Sequence, residues 1–99
     1  MDTHFHLNGA DFVWDTHKAA SNAIKHGGVT FEQAASVFFD PFLRLVDASR
    51  NDEARDAVVG FDAQSRLLFV VHVQMDDAFI RIISARKATA LERREHEHS

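Results

Sequence analysis

The chain has 99 residues, 45% of them apolar, with nine Phe, no cysteine and a formal net charge of -4. That length supports one domain around one modest core. The absence of cysteine excludes a disulfide framework and a thiolate zinc site and fits a reducing compartment; with no signal-peptide pattern or membrane-length apolar stretch, a soluble cytoplasmic protein without membrane contact is expected.

Residues 1–11 show no sustained period and are expected to be a flexible, extended lead-in, with residues 12–97 forming the domain. His4 and His6 would share one face of a strand, and His96 and His98 repeat the spacing near the other end. Two imidazoles do not close a metal site, so no metal is expected. Phe12 to Trp14 predicts a short strand, and Asp15 or Thr16 stands where a helix cap is needed. From His17 to His26 the small apolar positions Ala19, Ala20, Ala23 and Ile24 recur at helical spacing, and Gly27-Gly28 supplies the left-handed stop. Lys25 and His26 at that helix end complement the macrodipole. They also set an ammonium suited to phosphate beside a side chain that titrates near neutrality.

Thr30 and Gln33 form a capping box for a second helix, in which Phe31, Ala34, Ala35 and Phe38 make a core-facing stripe. Asp40-Pro41 is expected to end it, because the residue before proline is pushed out of the helical region. Alternating patterns then predict strands near Leu43–Ala48 and Arg55–Phe61, separated by a polar turn through Ser49 to Glu53. After a turn at Asp62 to Arg66, Leu67 to Met75 is the longest apolar run and reads as a central strand; His72 within it reads as a hydrogen-bonded sheet residue.

The segment from Phe79 to Arg94 is an Ile-rich strand running directly into a basic helix that Thr89 and Glu92 cap. Arg81, Arg86, Lys87, Arg93 and Arg94 stand there against Glu92 alone, in a chain that is acidic as a whole. A basic ridge on an acidic body suits a phosphate backbone or an acidic partner. Arg81 lies inside the strand, where an unpaired charge is costly to bury, and guanidinium groups grip phosphate or carboxylate in two-pronged fashion. Strict alternation nonetheless puts Arg81 and Arg86 on opposite faces, so one of them must act from the rim.

Short turns between the four later strands predict an antiparallel meander, and the two early helices are expected to cover one face. The fold class is α+β, an antiparallel sheet with two N-terminal helices on one face and a short C-terminal helix. Trp14-Asp15, Lys18, Asn22, Lys25-His26-Gly27, Phe31-Glu32, Ala34-Ala35, Val37-Phe38, Asp40-Pro41, Arg55, Gly60, Arg66-Leu67-Leu68, the run from Arg81 to Ala88 and Glu92-Arg93-Arg94 together resemble the BrnT family of toxins. The correspondence spans nearly all of 12–97, and the stretch RIISARKA is its specific part. The chain departs from the family pattern in its second glycine at Gly28, in Ala90 and Leu91 where basic residues are frequent, and in His96 where Tyr is common.

The resemblance implies a RelE-like fold and a metal-free, cofactor-free ribonuclease that arrests translation. It also implies neutralisation by a BrnA-type antitoxin with a ribbon-helix-helix region, the complex repressing its operon, so that operator DNA is met only through the antitoxin. Metal-free cleavage needs the 2′-hydroxyl deprotonated, the phosphorane-like charge stabilised and the leaving 5′-oxygen protonated. Arg55, Arg81 and Arg86 from neighbouring strands are the candidates for charge stabilisation, His26 for proton transfer with His96 a second titrating group, and Lys25, Lys87, Arg93 and Arg94 for holding the RNA backbone. Two rival readings use the same arginines: a catalytically weak protein that only binds its antitoxin, and a nucleic-acid-binding module without cleavage. The last is disfavoured because the Phe residues fall mostly on core positions rather than on an exposed stacking surface.

Overall fold

A computed structural model of the chain describes residues 1–48, 55–76 and 78–98. It is an α+β structure with the elements β1 (Asp2–Leu7), β2 (Ala10–Asp15), α1 (Thr16–Lys25), α2 (Phe31–Val37), β3 (Arg44–Asp47), β4 (Asp56–Phe61), β5 (Leu67–Met75), β6 (Phe79–Lys87) and α3 (Ala90–Glu97). The six strands form one sheet in the order β1-β2-β6-β5-β4-β3. The turn expected at Ser49 to Glu53 lies outside the described residues.

The structure adds to the sequence reading in one place and corrects it in another. The segment 1–11, expected as a flexible, extended lead-in, holds β1, which pairs antiparallel with β2 along its whole length from Asp2↔Asp15 to Leu7↔Ala10. The reason was present in the sequence as Asn8-Gly9, whose positive φ angles of 49° and 83° meet the demand of a two-residue hairpin turn. The sheet is also mixed rather than antiparallel, because β2 runs parallel to β6 through Phe12↔Ile80 and Val13↔Arg81. Both helices and three strands separate β2 from β6, far more chain than a parallel crossover needs. The antiparallel pairing expected for the later strands holds across β6, β5, β4 and β3.

One sheet face carries the core. Phe12, Trp14, Val58, Leu68, Val70, Ile82 and Ala85 meet Phe31, Ala34, Ala35 and Val37 of α2, all buried. Full burial of large side chains such as Phe12 and Phe31 contributes roughly 1.5–3 kcal/mol each. Helix α2 is shorter than its stripe suggested. It stops at Val37 with Phe38 as its C-cap, three residues before Pro41, and Val37 joins the core while Phe38 is only partly buried. Both capping boxes expected from the sequence are formed, at Thr30/Gln33 and Thr89/Glu92, and Asp15 rather than Thr16 caps α1.

Strand β6 contains an irregularity that sets everything on the opposite, outer face. His72 pairs with Ile82 but Val71 pairs with Ser84, so Ile83 is an extra residue without a partner on β5. Such a bulge reverses side-chain parity beyond it. Ile80 and Ile82 face the core on one side of the bulge and Ala85 on the other, which leaves Arg81, Ser84 and Arg86 together on the outer face. The sequence-based objection that Arg81 and Arg86 point oppositely is thereby removed.

Asn22 of α1 anchors this segment. Strand β2 leaves β6 after Val13↔Arg81, and the Asn22 side chain takes over as ladder partner: its Nδ2 donates to the carbonyl of Ala85 at 2.8 Å and its Oδ1 accepts from the Ala85 N–H at 3.1 Å. A further bond runs from Nδ2 to the Val29 carbonyl at 3.2 Å. A buried asparagine is tolerated here because backbone groups satisfy it on both sides.

Candidate functional site

Strands β6, β5 and β4 present their outer-face residues in rows. Arg86 stands opposite Phe69, which stands opposite Val59; Ser84 stands opposite Val71, which stands opposite Ala57; Arg81 stands opposite Val73. Arg55 precedes β4 on the same parity as Ala57 and Val59. Arg55, Ser84 and Arg86 thus face one another across β5, where they line a cleft of about 400 Å³ together with Asp47, Ala48, Phe69 and Val71. The arginines were expected on adjacent strands. They lie on either side of an intervening one, and the spacing opens the cleft between them.

Arg86 is held from three directions. Its Cζ lies 4.3 Å from the centroid of the Phe69 ring, the cross-strand neighbour beneath it. Its Nη1 and Nη2 donate to the two carboxylate oxygens of Glu92 at 2.7 and 2.9 Å, and Nη1 also donates to the Lys87 carbonyl at 3.2 Å. Glu92 is fixed in turn by the capping box, accepting from the Thr89 N–H at 2.9 Å. The Arg86 bonds hold the Glu92 carboxyl below its ordinary pKa, and Glu92 raises that of Arg86.

Arg81 is placed differently. Its guanidinium donates to both oxygens of Asp2, at 2.8 and 3.4 Å, in a partly exposed position two strands in from the sheet's edge. It shares the outer face with Arg86 but does not line the cleft. The Arg81 bond pulls the Asp2 carboxyl below its usual value.

The remaining predicted residues scatter. His26 is the C-cap of α1, and with Lys25, Lys18, His17, Ser21 and Asn22 it borders a separate hollow of about 280 Å³. Ile83 and Ser84 close that hollow, so Ser84 is shared with the Arg55–Arg86 cleft. Lys87 is exposed and pairs with Leu68 on the core-facing parity, away from the cleft. Arg93 and Arg94 are exposed on α3, whose other side, with Leu91, Glu92, Glu95 and His96, borders a third cavity of about 420 Å³ over Arg44, Val59 and Phe69. In it His96 donates from Nε2 to the Phe42 carbonyl at 3.0 Å and stands edge-on to Phe61.

Three contributors were not identified from the sequence. Ser84 was visible only as part of the run RIISARKA, Phe69 as one more apolar strand residue, and Glu92 as a cap rather than an ion-pair partner of Arg86. Glu92 alone left a sequence signal, since a capping glutamate six residues after an arginine can reach it only if the strand turns directly into the helix.

Among the described residues no cluster of three or more His, Asp or Glu is arranged to hold a metal ion, and no helix is long and apolar enough to cross a membrane. A comparison with curated proteins gives no match. A family model described as the ribonuclease toxin BrnT of type II toxin–antitoxin systems matches residues 14–92, which take in α1, the Asn22 clamp, Arg55, the bulged β6 and Glu92. With most of its length so matched, the chain belongs to the BrnT family of ribonuclease toxins.

Proposed function

We propose that this chain is a metal-independent endoribonuclease that cleaves RNA by attack of the 2′-hydroxyl on the adjacent phosphodiester and so inhibits translation. The observation that carries the reading is the convergence of Arg55 and Arg86 with Ser84 on one open cleft. As the 2′-oxygen bonds to phosphorus and the 5′-oxygen leaves, two guanidinium groups facing the phosphodiester stabilise the negative charge that grows on its equatorial oxygens, and no covalent enzyme intermediate is needed. His26, across Ser84 in the neighbouring hollow, is the group assigned to proton transfer. Arg81, Lys25, Lys87, Arg93 and Arg94 guide the RNA backbone from outside the cleft. The RelE-like description and a BrnA-type ribbon-helix-helix antitoxin, with operator binding through the complex, belong to the same reading; a type II system entails a protein antitoxin.

A specific observation favours the rival reading of a weakly active antitoxin-binding protein: Arg81 and Arg86 each already hold a carboxylate. The deciding experiment is incubation of the purified, antitoxin-free chain with a defined RNA in EDTA, beside Arg55→Ala and Arg86→Ala variants whose folding is checked by circular dichroism. Cleavage in EDTA that both folded variants lose is the expected result. A folded wild type inert on free RNA and on ribosome-bound message refutes it in favour of the binding-only reading.

A further inference from the structure

A guanidinium carries five N–H donors, and the partners of Arg86 use three of them. Nη1 spends both hydrogens on Glu92 and the Lys87 carbonyl, and Nη2 spends one on Glu92. The Nε–H and the second Nη2 hydrogen have no partner among the described residues. These two lie side by side on one edge of the plane, at the spacing of two oxygens of a phosphate. Glu92 borders the cavity under α3 and not the cleft, whereas Arg86 borders the cleft and not that cavity. The occupied end of the guanidinium therefore points toward α3 and away from the cleft.

We propose that Glu92 and Phe69 are positioning residues for Arg86, fixing its plane so that the Nε/Nη2 edge meets a phosphodiester in the Arg55–Ser84 cleft. The proposal deepens the ribonuclease reading and rests on it for the identity of the ligand. Phe69 sets the height of the plane from below, and the two-pronged Glu92 contact sets its rotation. The capping box holds Glu92 at the first turn of α3, so the helix start transmits its position to the cleft. A long arginine fixed on three sides loses little freedom when the phosphate arrives. Glu92 thereby supports the anion site, although its charge alone would oppose an anion.

The substitution Glu92→Gln isolates this role, because glutamine serves as well as glutamate in a capping box and the helix start is retained. The test uses the full ¹⁵N-labelled chain and a 2′-O-methyl RNA oligonucleotide, which binds without being cut. The Nε–H signal of Arg86 is assigned by its loss in Arg86→Lys. In wild type this signal shifts saturably with oligonucleotide; in Glu92→Gln and Phe69→Leu it broadens and the shift is lost. With unmodified RNA, kcat falls on the order of tenfold to a hundredfold in Glu92→Gln, with KM changed by less than about threefold. A wild-type Arg86 signal that stays still under saturating oligonucleotide overturns the proposal, as does a Glu92→Gln variant with wild-type shift and kcat. A Glu92→Gln variant with lower KM and higher kcat also overturns it, by making Glu92 a plug. Should wild type show the shift and its loss in Glu92→Gln but cut no RNA, the ribonuclease reading falls and the positioning role stands.

Discussion

Arg81 and Arg86 sit on one strand and one face, and each is paired two-prongedly with a carboxylate, yet the two ends of β6 are built differently. Asp2 reaches Arg81 from an edge strand with its side chain 42% exposed, and among the described residues no other side-chain hydrogen bond fixes the pair, so it is open to screening by solvent and salt. Glu92 reaches Arg86 from the first turn of a helix that it also caps, over an aromatic ring and beside a cleft. Identical chemistry thus yields a surface ion pair at one end and a preorganised cation at the other. What separates them is the number of independent elements that fix each side chain.

The largest effect that could break this contrast is on cleavage. Arg86→Ala is expected to reduce kcat by roughly 10²–10³, as removal of one preorganised charge-stabilising donor does, while Arg81→Ala costs less than about tenfold in single-turnover assays. Equal losses would mean that the two ends work alike. Next comes the clamp. Asn22→Ala removes three buried hydrogen bonds and strands both backbone groups of Ala85, the residue before Arg86. A loss of about 2–4 kcal/mol in urea-unfolding free energy is expected; an unchanged midpoint would mean that β6 needs no anchor there.

A smaller effect concerns the bulge from the β5 side. His72, opposite Ile82, is buried against Phe38, its Nδ1 has no hydrogen-bond partner among the described residues, and burial pushes its pKa below the ordinary 6.5, against the pull of nearby Asp56. The folded state therefore prefers neutral His72, and the unfolded state takes up a proton first as pH falls. Stability is full above about 6.5 and declines below it, by at most about 1.4 kcal/mol per pH unit, until the folded-state pKa is passed. Comparing urea midpoints at pH 7.5 and 5.5, His72→Leu should show the shallower decline; parallel declines would clear His72 of the effect. The smallest change is at the exposed end: Asp2→Asn should leave the midpoint unmoved within error at physiological salt, and a clear drop would show that the Arg81 pair is more than a surface contact.

Local chemistry made most of the elements legible. The capping boxes at Thr30 and Thr89, the apolar run over 67–75 and the polar turn closed by Asp62 all rest on interactions within a few residues, and the structure keeps each of them. The hairpin of β1 and β2 was equally local in cause, through Asn8-Gly9, but it was hidden by a histidine-rich strand with little apolar periodicity. The family was legible as well, because the run from Arg81 to Ala88 is unusual enough to carry it.

The arrangement of the site depended on the tertiary structure. The period of two says where Arg81 and Arg86 point only if the strand is regular, and whether Ile83 bulges is decided by how β5, the departing β2 and Asn22 share β6. The meeting of Arg55 with Arg86 depends on β5 lying between their strands, and the choice of Glu92 as partner depends on where α3 crosses the sheet. Sequence by itself determined the helices, every strand but β1 and the basic character of 79–94, since those follow from contacts between near neighbours. Only the fold decided which cations share a cleft, because that is set by pairings between residues far apart in the chain.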